Sequence, residues 1–205
     1  MVNRDQFRQD EARYVWLPIL LDAYEISDRL MAKSLASLSE QGTRIACQKG
    51  CYACCLNPAV PILSLELMGI SWYAGEKLKG TVRQAVKHRL YTHNERTECP
   101  FLISDYCSIY PMRPLICRQF YIKSKACAIG EDVLHTRPND IVGLTMQIAK
   151  EVSMRILDFY GIKGKKRKEI AFEEGFMATN SKLMHLCDWT MIGKAMDLFD
   201  NEVQE

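Results

Sequence analysis

The sequence has no run of about 18 uncharged apolar residues, the length a membrane helix needs, so no membrane span is expected. Its first residues mix charges throughout and show neither an apolar core nor a small-residue cleavage site. That argues against a secretory signal and points to the cytoplasm. An excess of one charge is also missing. Lys+Arg 27 against Asp+Glu 25 leaves a formal net charge of +2, too little to call for a polyanionic partner. Histidine is scarce and scattered, at His88, His93, His135 and His185, with no H-E-x-x-H. No G-x-G-x-x-G, Walker A or G-x-S-x-G pattern occurs, so the familiar nucleotide-binding and serine hydrolase readings have no footing. Strand-like alternation and internal repeats are absent as well.

What the chain does have is cysteine. Four thiols fall in Cys47-Gln-Lys-Gly-Cys51-Tyr-Ala-Cys54-Cys55, a C-x3-C-x2-C-C spacing, and Cys99, Cys107, Cys117 and Cys127 follow. Only Cys187 lies apart. In a reducing compartment such a cluster holds metal more often than disulfides. The count of nine is odd, and the neighbours Cys54 and Cys55 would pair only through a strained ring. Thiolate is the ligand of zinc and of iron–sulfur clusters, and both commonly take four per site. The segment from Cys47 to Cys54 can supply three corners of a cube and leave the fourth to a distant residue. Zinc sites more often use two separate C-x2-C pairs, and only Cys51 and Cys54 have that spacing here, so the pattern leans towards [4Fe–4S]. Adjacent side chains diverge in most backbone conformations, which sets Cys54 and Cys55 apart. Eight clustered thiols suit two four-thiolate sites or one site with reserve thiols, and both remain open. Cys127 reads as ligand or bystander. Cys187 reads as a small buried hydrophobe on the face of the last helix.

At 205 residues and 48% hydrophobic, the chain can bury a substantial core without disulfides. Helical periodicity predicts a helix over 16–40 with Leu20, Ala23, Tyr24, Met31, Leu35 and Leu38 on one face, Pro18 in its first turn and Gly42 as its stop. Gly50 relieves the backbone within the thiol stretch, and Asn57-Pro58 and Pro61 delay the next helix. That helix is expected over 64–79, opened by Ser64 with Glu66 and burying Leu67, Met68, Ile70 and Trp72. A polar helix follows over 81–93 with its basic residues exposed. The interval 99–127, with Pro100, Pro111 and Pro114, reads as packed loop that needs something to hold it. A helix over 141–160 has the stripe Leu144, Ile148, Val152, Ile156 and Phe159, with Asn139 or Asp140 as cap and Gly161 as stop. The run 163–168 reads as a solvated basic linker, without the interleaved aromatics that would stack on bases, so nucleic acid is not an expected partner. A last helix spans 182–199, with Leu183, Cys187, Met191, Ala195 and Leu198 on one face. The expected fold is mainly α: one domain over 1–205, helices around a loop-rich cysteine core at about 45–130.

The ordered motifs Cys47-x3-Cys51-x2-Cys54-Cys55, Cys99-Pro100-Phe101-Leu102 and Cys107-Ser-Ile-Tyr110-x2-Arg113-Pro114-x2-Cys117-Arg118-x-Phe120 resemble the YkgJ-like cysteine-cluster family, described as zinc- or iron-chelating. The resemblance covers about 45–130 and implies metal chelation. Cys47, Cys51, Cys54, Cys55, Cys99, Cys107 and Cys117 fall on the family's cysteines, and Cys127 sits where a trailing eighth is often found. Members are often labelled iron–sulfur oxidoreductases by analogy, and a flagellin lysine methylase is related to the group. Arg113 and Arg118 suit a role beside such a centre, where guanidinium groups would offset the negative charge of four thiolates and tune its potential. Phe101 and Tyr110 read as packing that shields the site, and His93 as solvent-facing rather than a substitute ligand. The C-x3-C-x2-C spacing also matches the cluster motif of radical S-adenosylmethionine enzymes, but the βα barrel and glycine-rich segment they need do not appear. Three functions follow as expectations. The first is a thiolate metal protein, iron–sulfur or zinc, in electron transfer or metal handling. The second is a zinc-stabilised module that binds a protein partner. The third is a cluster-dependent modifying enzyme of methyltransferase type.

Overall fold

The structure is a computed structural model and describes residues 2–48, 50–56, 59–94, 98–143 and 145–202. Leu144, Asn57 and Pro58 lie outside the described residues. The fold is mainly α, as expected. The helices are α1 (Arg8–Arg13), α2 (Leu17–Glu40), α3 (Ser64–Trp72), α4 (Gly80–Thr92), α5 (Leu115–Gln119), α6 (Val133–Thr136), α7 (Met146–Ile156), α8 (Lys165–Glu173), α9 (Phe176–Thr179) and α10 (Thr190–Glu202). Among the described residues, besides an isolated bridge between Ile45 and Lys123, strand pairing forms short antiparallel ribbons. These are β1 (Pro61–Leu63) with β6 (Ser181–Leu183), β2 (Leu102–Ile103) with β3 (Tyr106–Cys107), and β4 (Tyr121–Ile122) with β5 (Ile141–Val142). Among the described residues, no helix is long and apolar enough to cross a membrane.

Two apolar cores sit on either side of α3. In the first, α2 lays Leu17, Leu20, Leu21, Tyr24 and Met31 against Ile148, Val152 and Ile156 of α7. The expected stripe on α2 therefore buries as far as Met31; Leu35 packs only partly, and Leu38 lines an open groove. In the second, α4 and α10 enclose Ile70, Val86, Leu90, Phe101, Trp189 and Met196. The Phe101 and Trp189 rings meet edge to face at 5.1 Å, which ties α10 to the segment following Cys99. Because α3 stands between the cores it buries two faces, Leu65 and Trp72 towards the first and Ile70 towards the second. That leaves Met68 exposed, against the single face expected. The chain after Trp72 keeps winding as one π turn, Tyr73–Lys77.

Several boundaries differ from the sequence reading, each for a tertiary reason. Residues 141–142 pair with β4 instead of starting a helix, so α7 begins at Met146 with Thr145 Oγ1 accepting from Ile148 N–H at 3.3 Å. Residues 181–183 are taken by β1, so the last helix starts at Thr190 and Cys187 precedes it. Its buried face is Ile192 and Met196, while Met191 and Leu198 are exposed; Gly193, closing on the Tyr91 ring, fixes that rotation. From Lys165 onwards the basic run is helical rather than linker. It forms the first turn of α8, anchored by Lys168 Nζ on Met154 O and on Asp158, both at 2.6 Å. Arg83 of α4 is buried, not exposed, and donates to Ala74 O, Gly75 O and Met196 O, binding the π turn to α10. Gly42 and Gly161 do turn the chain after α2 and α7, at φ +78° and +73°.

Candidate metal centre

The thiols are brought together by three short pieces of backbone. Residues 44–47 run beside 122–124: Ala46 N–H donates to Ile122 O at 2.7 Å, Ser124 N–H to Arg44 O at 2.8 Å, and Ile122 N–H to Cys47 Sγ at 3.2 Å. This places Cys47 next to the strand that leads on to Cys127. Gly50, at φ +87°, then turns the chain between Cys47 and Cys51. Farther on, Cys99 N–H donates to Cys55 O at 2.8 Å, fastening the first motif to the second. The β2–β3 hairpin pairs Leu102 with Cys107 and turns on Ser104 and Asp105, both with positive φ, as a two-residue hairpin loop demands. Cys107 is thereby carried back beside the segment that follows Cys99, and Cys117 is placed on α5.

Cys54 is the hub. After burial, proximity to Cys54 adds to the upward shift of Cys47, Cys99, Cys107, Cys117 and Cys127, since two thiolates side by side would repel. Burial is the first cause in each of these five, because a thiolate is costly away from water. Cys54 itself is pushed far up, first by its hydrogen bond with the Cys55 thiol. The two neighbours therefore meet instead of diverging, since residues 53–55 form a 3-10 turn rather than extended chain. Backbone amides work in the opposite sense: Ile122 N–H on Cys47, Phe101 N–H on Cys99 and Ile109 N–H on Cys107 all favour the thiolate. So does Arg113, whose charge lowers Cys54, Cys107 and Cys117. A donor set of thiols, several of them facing an amide or a guanidinium, has the chemistry that soft thiolate-bound metals require. Among the described residues no three His, Cys, Asp or Glu side chains converge tightly enough to hold an ion as they stand, so binding would draw the thiols inward. Because those thiols favour the protonated form, metal entry would release protons.

The two arginines differ. Arg118 is 2% exposed and lies 3.8 Å from the centre of the Tyr24 ring. It donates to Asp28 at 3.0 and 3.2 Å, to Arg113 O at 3.0 Å and to Pro111 O. It clamps the 111–118 segment to α2, and its charge is a minor influence on Cys107. Arg113 stacks on Tyr110 at 4.3 Å, and its buried Nε has no hydrogen-bond partner among the protein atoms. Tyr110 is exposed, so of the two expected shields only Phe101 is buried.

Sequence reasoning placed Glu66 at the opening of its helix but not its reach to α5, and did not single out the other carboxylates that build this frame. Buried Glu66 accepts from Leu63 N–H at 2.9 Å and from Leu115 N–H at 2.6 Å, capping α3 and fixing the start of α5 below Cys117. Asp28, on the apolar stripe of α2, receives Arg118 and Val2 N–H. A charged residue four positions after Tyr24 on a buried face was the signal for it. The loop carrying Cys127 is held by Arg137, which forks onto Glu131 and reaches Asp140 and Lys125 O. Cys187 stands apart, half-buried against the second core with Sγ directed at Leu183 O at 3.6 Å. His93 is half-buried rather than solvent-facing, and burial lowers its pKa.

No curated protein and no solved structure matches the chain. Residues 46–137, the cysteine-bearing segment, match the family model CxxCxxCC, described as a "putative zinc- or iron-chelating domain".

Proposed function

We propose that the chain holds an iron–sulfur centre of the [4Fe–4S] type through its clustered thiolates and serves in electron transfer or a related redox step. The ligands are drawn from Cys47, Cys51, Cys54, Cys55, Cys99, Cys107, Cys117 and Cys127. The observation that carries this reading is the backbone pairing that sets Cys47 against Ile122 and Cys55 against Cys99 and so ties the separate thiol-bearing segments to one another, together with the buried, unpartnered Nε of Arg113. A four-thiolate centre is net negative, and one adjacent cation with an unused buried N–H suits it. Arg118 contributes at one remove, by holding the loop that carries Arg113. Reduced thiols of this density fit the cytoplasm.

The second reading is a zinc-stabilised module that binds a protein partner. It is favoured by the large apolar side chains exposed on the same segment, Tyr106 at 69% and Ile129 at 83%. Anaerobic purification with an absorption spectrum and iron, sulfide and zinc counts on one sample separates the two. Broad visible absorption with iron and sulfide in roughly equal amounts supports the redox reading. A colourless protein loaded with zinc favours the module. A folded protein with neither metal overturns both.

A further inference from the structure

The charges of α8 run against its own dipole. Lys165, Lys166, Arg167 and Lys168 fill its first turn, which has no acidic residue, where the macrodipole already presents positive potential; Glu173 and Glu174 close it at the negative end. Part of this charge is used within the molecule. Lys168 is taken by Asp158 and Met154 O, and Glu169 by Lys150 at 3.7 Å. The rest is not. Lys166, Arg167, Glu173 and Glu174 are exposed, and among the described residues none of them enters an ion pair. Nor can they serve one another, since seven residues of helix set Lys166 about 10 Å from Glu173 along the axis.

These four residues share one face. Counted from Ile170 they stand at i−4, i−3, i+3 and i+4, the steps that stack along a helix, and Ile170 itself is 45% exposed at their centre. The other side of α8 carries buried Ala171 and the anchored Lys168. In chain order the outward face is basic, then apolar, then acidic, a pattern that complements itself when reversed. We infer that this face docks on the same face of a second copy of the chain, antiparallel, about a two-fold axis beside Ile170. Ile170 then meets its own counterpart, Lys166 meets Glu173 of the second copy, Arg167 meets Glu174 of the second copy, and the two-fold repeats both pairs. The basic turn of each helix also lies against the negative end of the other, so charges that oppose the dipole in one copy are offset by its neighbour. A parallel pairing would set cations on cations. Four exposed ion pairs and one apolar contact make a small interface, so the association is weak and governed by salt. It is independent of the metal reading, because α8 lies outside the residues 46–137 that match the chelating-domain model.

Sedimentation equilibrium of the full-length protein tests the pairing, with far-UV circular dichroism on each sample. Wild type is expected to dimerise as its concentration rises at about 0.01 M salt, where charges are felt over about 30 Å, and to be monomeric at about 1 M, where that length is about 3 Å. Lys166→Glu/Arg167→Glu and Glu173→Lys/Glu174→Lys are each expected to be monomeric at low salt, because each sets like charges together. Mixed in equal amounts, these two variants are expected to form a heterodimer, since one face is then wholly acidic and the other wholly basic. The chain carrying all four changes is again self-complementary and is expected to dimerise. Arg167→Glu alone serves if a double variant does not fold, and is expected to weaken the dimer about tenfold. Wild type that stays monomeric at low salt overturns the proposal and leaves this face to an unlike partner. A dimer that survives about 1 M salt, that the charge reversals leave intact, or that the mixture fails to restore overturns it as well.

Discussion

Replacing Arg118 with alanine removes one partner of an ion pair whose side chains are only 2% and 7% exposed. The Asp28 carboxylate would keep the Val2 amide at 2.8 Å but lose both guanidinium contacts. Stripping one member from a buried pair costs about 3–5 kcal/mol, because the other charge stays where water cannot reach it. The carbonyls of Pro111 and Arg113 also lose their donor; near the surface they recover water, so their share is under about 1 kcal/mol each. The expected loss is about 4 kcal/mol, a large part of the 5–15 kcal/mol typical of a whole domain. Arg118→Lys keeps the charge without the planar fork and should lose less, though not zero. Arg113→Ala gives up a cation–π contact with an exposed ring, worth about 0.5–1 kcal/mol, and should hardly move stability. Urea unfolding followed by circular dichroism reads all three, through the midpoint at constant slope. If Arg118→Ala shifts stability by less than about 1 kcal/mol, or Arg113→Ala costs as much, the assignment of clamp and site cation is wrong.

Gly143 has φ +107°, and a Cβ there would strike the Gln119 carbonyl and lie 2.6 Å from Met31 Cε; Gly143→Ala is expected to cost more than about 2 kcal/mol and to lower metal content by moving α5, read by unfolding and metal analysis together. The Arg137 fork, with the Ala128 amide and the Thr136 hydroxyl, holds the Glu131 carboxylate down to about 2, so a carbon NMR titration should find it there and find it raised towards, though still below, the ordinary carboxylate range in Arg137→Ala. The sign follows from a depressed folded value: the contact's contribution is complete above the ordinary carboxylate range and is lost as pH falls through about 2. Metal removal by a chelator should leave most helical signal in place, because both cores are apolar and α2 and α7 pack without the thiols; cooperative loss of that signal would make the metal a folding requirement.

Much of the helical frame was readable because its causes are local. The period of Leu20, Ala23 and Tyr24 locates α2, and Gly42 and Gly161 mark turns that only a positive φ allows. The last helix shows where such reasoning fails. Met191 and Ala195 recur at the same spacing as Ile192 and Met196, so periodicity alone does not choose the face; Gly193 against Tyr91 does. The run at 163–168 looked like solvated chain because its charges hide the contacts that make it helical, Lys168 on Asp158 above all.

The sequence by itself determined the mainly helical frame and the cysteine motifs of the segment that matches the chelating-domain model, since periodicity and spacing are properties of neighbouring residues. Only the tertiary structure decided which thiols are neighbours, that Cys54 and Cys55 touch, and that Arg118 belongs to Asp28 while Arg113 faces the sulfurs. Arg118 and Asp28 are 90 residues apart, Leu115 and Glu66 are 49, and β1 meets β6 across most of the chain. No local pattern encodes such pairings, because they form only when burial makes an unpartnered charge or backbone amide too costly to leave alone.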